Sequence, residues 1–184
     1  MINKHIKKYP VLQSERLTLK AISTDKIPDI VHLMDDKRIT DNLLTVPYPY
    51  REKDAIFWLN EMHQGLVNQS KFIFGIHLNQ DDFVGGIGLH IEKGFKAEIG
   101  YWLGYPYWGQ GIMTEALGLV LKFGFETLKL ERIFAMHITG NPASGKVMVN
   151  NGMQYEGTIR SHLKKGKKYL DVRQYSILRK EFEV

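Results

Sequence analysis

The sequence predicts an α/β chain of the α+β kind, in which a mixed, mostly antiparallel sheet of about seven strands carries four helices. Three observations lead there. Short polar turns separate pairs of apolar runs, the signature of antiparallel hairpins. An apolar strand, a glycine loop and a long helix follow one another from Glu98 to Leu130. The remaining runs alternate with a period of either two or 3.6 residues, which gives the order β, α, α, β, β, β, α, β, α, β, β.

Glu15 to Ile22 alternates Leu17, Leu19 and, past Lys20, Ile22, and makes the first strand. Thr24 or Asp25 then caps a helix whose Ile27, Ile30, Val31 and Met34 share a face, with Pro28 in its first turn, where a missing N–H costs little. Arg38 to Tyr50 is irregular. Its Pro47-Tyr48-Pro49-Tyr50 makes a stiff extended loop whose phenols are not all expected to be buried; it either walls a substrate site or simply connects. Glu52 to Val67 is helical. Lys71 to Leu78 sets Phe72, Phe74, Ile76 and Leu78 on one face of a strand and Ile73 and His77 on the other. The turn Asn79-Gln80-Asp81-Asp82 pairs it with Phe83 to Ile91. Glu92-Lys93-Gly94 leads into the fourth strand.

That strand, Ile99 to Leu103, ends in a proline-aromatic turn, and Trp108-Gly109-Gln110-Gly111 opens a helix from Ile112 to about Leu128. The first amides of a helix lack intrahelical partners and stand at the positive end of its dipole, so an anion is favoured there. Gly109 and Gly111 let the backbone turn with positive φ and approach a ligand. The loop is either a phosphate cradle or a tight strand-to-helix turn. Without Gly-Lys-Ser/Thr it is not a P-loop, and Thr114 stands where a dinucleotide fold has its third glycine. Arg132 to Ile138 forms the fifth strand. Asn141 before Pro142 reads as N-cap and N1 of a short helix ending near Asn150-Asn151-Gly152. Met153 to His162 and Tyr169 to Leu178 close the chain as a hairpin around Lys164, Lys165, Lys167 and Lys168.

A chain of 184 residues with 43% apolar content suits one domain, residues 1–184 with a core of about 12–180, and is short for two. The absence of cysteine excludes disulfides, thiolate metal sites and a cysteine nucleophile. Lys4, Lys7 and Lys8 precede no apolar run and no stretch reaches membrane-spanning length, so a soluble, cytoplasmic protein without a membrane partner is expected. The net charge of +5 raises nucleic acid as a partner, but the basic residues are scattered, and the one dense cluster reads as a solvated turn. That turn could also help to hold an anionic cofactor or an acidic partner.

These residues carry a resemblance. The chain resembles the Gcn5-related N-acetyltransferase (GNAT) superfamily, and within it the RimJ/RimL-like branch, from Glu15 to Leu178. The similarity lies in Pro47-Tyr48-Pro49-Tyr50, Glu98 to Leu103, Trp108-Gly109-Gln110-Gly111 with Thr114-Glu115-Ala116, Asn141-Pro142-Ala143-Ser144, Tyr155-Glu156-Gly157 and Asp171. It implies a fold whose fourth and fifth strands splay around the cofactor. It also implies acetyl-CoA as acetyl donor, with CoA as product and a peptide or small-molecule amine as acceptor. The superfamily loop, Gln/Arg-x-x-Gly-x-Gly/Ala, falls on Trp108 to Met113 and matches only at Gly111; tryptophan in first place is familiar in the branch.

By the resemblance, the amides of Gly109, Gln110, Gly111, Ile112, Met113 and Thr114 hold the pyrophosphate. Tyr101 and Leu103 pair with the pantetheine arm, Asn141 positions that arm, and Ser144 lies near the thioester sulfur as general acid. The chemistry itself needs a base, because an alkylammonium with a pKa near ~10 must lose a proton before it attacks, and a donor for a thiolate of intrinsic pKa about 8.5. With no cysteine, direct attack in a ternary complex is expected. The base stays open between Glu98, on the face of Gly100 and Trp102; His137, which otherwise reads as a core imidazole; and His162, next to Leu163, which aligns with a glutamate of the RimL-like pattern. Glu115 reads as a helix-start partner for backbone amides. A non-catalytic acyl-CoA sensor on the same fold is the alternative function, and a homodimer through the exposed closing hairpin is one option for assembly.

Overall fold

The computed structural model describes residues 6, 8–43, 45–79 and 81–182. The basic residues Lys4 and Lys7 and Gln80 of the polar turn lie outside them, as does Leu44 of the irregular segment. Eight strands form one sheet: β1 (Leu12–Gln13), β2 (Leu17–Lys20), β3 (Lys71–Leu78), β4 (Asp82–Glu92), β5 (Lys96–Leu103), β6 (Arg132–Ile138), β7 (Gln154–Lys165) and β8 (Lys168–Leu178). Their spatial order is β1-β2-β3-β4-β5-β6-β8-β7, and every neighbouring pair is antiparallel except β5 with β6. The helices are α1 (Ile27–Met34), α2 (Lys37–Thr40), α3 (Glu52–Val67), α4 (Ile112–Lys122), α5 (Pro142–Asn150) and α6 (Arg179–Phe182).

The alternating side chains of the strands split the core in two. Leu17, Leu19, Phe72, Phe74, Ile87, Leu89, Ala97 and Ile99 pack on the side of α4, while Ile73, Phe83 and Trp102 pack with Ile30, Met34, Leu59 and Met62 on the side of α1 and α3. Burial on both faces explains why Phe72 to His77 is buried without a break. On β4, a Cβ at Gly86 would lie 2.6 Å from Trp58, so glycine here lets that indole and Trp102 cover the sheet.

The start of α1 differs from the sequence expectation. Thr24–Lys26 forms a 3-10 turn whose N-cap position is Ser23, and no side chain caps it or α1. The long helix also changes pitch: Leu128 N–H donates to Phe123 O, five residues back, through a π-helical stretch Phe123–Thr127. This turn sets Phe123 edge-on against both Phe72 and Phe74, at 5.5 and 5.6 Å between ring centroids. Among the described residues, no helix is long and apolar enough to cross a membrane.

Candidate active site

β5 and β6 pair only over Lys96–Glu98 and Arg132–Phe134 and then diverge. Past Glu98, the β6-facing edge of β5 therefore has no strand partner among the described residues, and a wedge opens toward the ends of both strands. Pro106 helps to end β5, in a 3-10 turn at Tyr105–Tyr107. The wedge widens into a cleft of about 570 Å³ whose lining includes Glu98, Tyr101, Leu103, Trp108, Gly109, Gly111, Ile112, Met113, Thr114, Asn141 and Ser144. Gln110 and His162 are not among the lining residues.

At one end lies the glycine loop. Gly109 and Gly111 have φ of 75° and 73°, and Gly111 is the N-cap of α4 with no side-chain cap. The first intrahelical bond runs from Glu115 N–H to Gly111 O, and among the described residues the N–H groups of Gly109 to Thr114 donate to no protein acceptor. Three tethers hold this cradle in shape without using those amides. Trp108 Nε1 donates to Leu103 O at 2.8 Å, Gln110 Nε2 to Pro106 O at 3.0 Å, and Arg16 Nη2 to Gln110 O at 3.2 Å. Arg16 is fixed in turn by Glu115, whose two oxygens accept from Arg16 Nε and Ser14 Oγ at 2.5 Å each. Glu115 thus serves side chains of the β1–β2 turn, and not backbone amides as the sequence suggested.

At the centre, Tyr101 and Ser144 meet. Their hydroxyl oxygens are 2.8 Å apart, and Tyr101 Oη also lies 3.1 Å from Ser144 O. Burial pushes the Tyr101 phenol above its ordinary pKa against the opposing pull of Ser144, so it remains protonated as a donor. Ser144 is held at the start of α5 because Asn141 Oδ1 accepts from Ser144 N–H at 3.3 Å, the N-cap expected of that residue. The Tyr101 phenol was missed by sequence reasoning, which used only its backbone. The i, i+2 alternation of β5 was the available signal, since it puts Tyr101 with Ala97 and Ile99 on the side of α4.

Glu98 is half-buried on β5. Burial raises its pKa, the Glu92 carboxylate adds to the rise, and His162 opposes it. His162 is therefore brought near Glu98, on an exposed, bulged stretch of β7 where the register shifts between Ile159 and Leu163. His137 is 3% exposed; its Nδ1 donates to Ile138 O at 2.7 Å, and its ring stacks on Tyr175. Its Nε2 is buried without a partner against Gly145, where a Cβ would sit 2.9 Å away. Burial, with a smaller contribution from Arg173, keeps this imidazole neutral, as befits a core group.

The far wall comes from the irregular segment: Ile39, Asn42 and Leu43 reach the cleft. The closing hairpin fastens that wall. Lys165 Nζ donates to Thr40 O and, at 3.1 Å, to Leu43 O. Of the lysine turn, only Lys164, Lys167 and Lys168 are exposed, so the expectation of a wholly solvated cluster is corrected at Lys165. Tyr48 is 55% exposed and Tyr50 only 4%, in line with phenols that are not all buried.

Comparison with known proteins gives a consistent picture. The family model described as an acetyltransferase (GNAT) domain matches residues 16–154. An uncharacterised N-acetyltransferase of Bacillus licheniformis, p20, is 28% identical over 176 residues, spanning 93% of this chain and 97% of that protein. The ribosomal-protein-serine acetyltransferase of Escherichia coli is 33% identical over 99 residues, 53% of this chain and 55% of its own. RimJ of Mycobacterium smegmatis, solved in complex with CoA-disulfide, superposes with a TM-score of 0.84 at 19% identity, over 95% of this chain and 88% of that one. At that identity the likeness is one of fold.

Proposed function

Because the chain belongs to the GNAT acetyltransferase family, we propose that it transfers the acetyl group of acetyl-CoA to a primary amine by direct attack in a ternary complex. The observation that carries this reading is the unpartnered row of amides at 109–114, leading along the open edge of β5 to the Tyr101–Ser144 hydroxyl pair. These residues fit the donor: orphan N–H groups at an uncapped helix start suit a pyrophosphate, and a strand edge without a partner suits an amide-bearing arm. The cradle would hold the pyrophosphate, Tyr101 and Leu103 the arm, and Asn141 the end of the arm nearest Ser144.

Acetyl-CoA, when bound, supplies a thioester whose C–S bond breaks as the new C–N bond forms. Glu98 takes the proton from the acceptor ammonium, through a water, and its raised pKa makes it a better base than an ordinary carboxylate. Ser144 gives its hydroxyl proton to the departing sulfur and recovers one from the attacking nitrogen, which loses its second proton as the amide forms; Tyr101 stays protonated and holds Ser144 Oγ in place through their hydroxyl contact. In this reading His162 assists Glu98 from the closing hairpin, since it opposes the rise in the Glu98 pKa.

The test is continuous thiol release from acetyl-CoA with a panel of primary amines, run beside Ser144→Ala and Tyr101→Phe. We expect release with the wild-type chain, a fall in kcat of about 10- to 100-fold in each variant, and unchanged acetyl-CoA affinity. Binding of acetyl-CoA with no release for any amine would overturn the proposal in favour of a sensor.

A further inference from the structure

The acceptor side of the cleft has an unusual charge arrangement. The acidic residues between α1 and the proline-tyrosine loop are each neutralised by a neighbour: Asp35 by Arg51, Asp36 by Arg38 and Asp41 by Lys37. The two on the closing hairpin are engaged as well, since Glu156 pairs with Arg132 and Asp171 accepts the amide of Ser161 at 2.8 Å. Glu98 is the one carboxylate that lines the cleft, and among the described residues it forms no ion pair. The same cleft is lined by Ile39 and Leu43, on a segment that Lys165 ties down through Thr40 O and Leu43 O. A second ammonium entering here would find no further carboxylate among the lining residues and would share the cleft with the Lys146 side chain.

Resting on the transferase reading above, we infer that the acceptor is a primary amine with a single positive charge and an apolar substituent. Its ammonium is seated on Glu98 and its substituent lies against Ile39 and Leu43. The ammonium is attracted to the one open carboxylate, and its flank is matched by side chains that exclude water. Polyamines and aminoglycosides are rejected because each further charge would be desolvated without a partner. A small arylalkyl amine and the α-amine of a peptide beginning with an apolar residue offer the same chemistry.

The experiment takes the full chain, with acetyl-CoA binding first established by calorimetry. It then compares kcat/KM for phenethylamine, a leucyl peptide amide, spermidine and kanamycin. We expect at least one of the two monoamines to exceed both polycations by about tenfold or more. The ratio between the monoamines tells whether the flank is a peptide. Asn42→Asp, which adds a carboxylate to the wall at constant shape, should move the preference toward spermidine by several-fold. Preferential turnover of spermidine or kanamycin by the wild-type chain would overturn the acceptor assignment and leave the transferase reading intact. If acetyl-CoA binds and no amine is turned over, both fall.

Discussion

Trp108 departs from the Gln/Arg-x-x-Gly-x-Gly/Ala loop pattern at its first position, and here it makes a defined contact. Glutamine, arginine and tryptophan differ in size and charge but share a side-chain N–H, and Trp108 spends it on Leu103 O. In this chain the position supplies a donor to the end of β5, a contact that letters in a sequence do not reveal. Glu98 was legible as a candidate, but its environment was not, because burial and the charge of Glu92 come from residues brought together by the sheet. Its raised pKa has a signed consequence for activity. The deprotonated form is the base, so kcat/KM should fall as pH drops through the raised value, above the ordinary 4.5 of a glutamate. Glu98→Gln should lower kcat/KM by about 100-fold and abolish that acid limb in a pH–rate profile. Retention of the limb in the variant would assign the base elsewhere.

At the scale of elements, periodicity revealed most of the strands and the main helices, because these bury one face or both over many residues. It did not reveal β1, which has two residues and exists only through Leu12 and Gln13 pairing with Leu19 and Thr18. Nor did it reveal the one-turn α2, capped by Asp36. The glycine loop was legible as a turn that could hold phosphate. Its bracing was not, since Arg16 and Glu115 are 99 residues apart in sequence. This bracing predicts a selective defect. Arg16→Ala frees Gln110 O and leaves Glu115 with Ser14 alone, so the cradle loosens while Glu98, Ile39 and Leu43 are untouched. The KM for acetyl-CoA should rise about tenfold, with the KM for the amine unchanged. A parallel rise in both would mean that the arginine supports the fold as a whole.

For the whole molecule, the sheet is closed at one side by Glu156. Its carboxylate accepts from both Arg132 Nη groups at 2.6 Å, from Ser176 Oγ at 2.8 Å and from Gln174 Nε2 at 2.8 Å, joining β6, β7 and β8. The Arg132 guanidinium holds its pKa down at about 2, from the usual 4.5. A depressed folded-state pKa contributes stability that is present above 4.5 and is lost as pH falls toward 2. Allowing for the solvent exposure of the pair, the contribution is about 1–2 kcal/mol. Glu156→Gln should therefore lower the Tm at pH 7 by a few degrees, and the difference should shrink by pH 3, which thermal melts across pH would measure.

The clasp of Lys165 on Thr40 and Leu43 joins residues 125 and 122 positions apart. A chain leaving the ribosome amino end first exposes the wall of the acceptor chamber early and its fastener late. β8, which lies between β6 and β7, follows later still. The glycine loop and Ser144 precede it in the chain, so the donor half of the cleft can be built before the closing hairpin is in place. The half that receives the amine is completed after the donor half, which delays amine capture by a nascent chain until the closing hairpin has emerged.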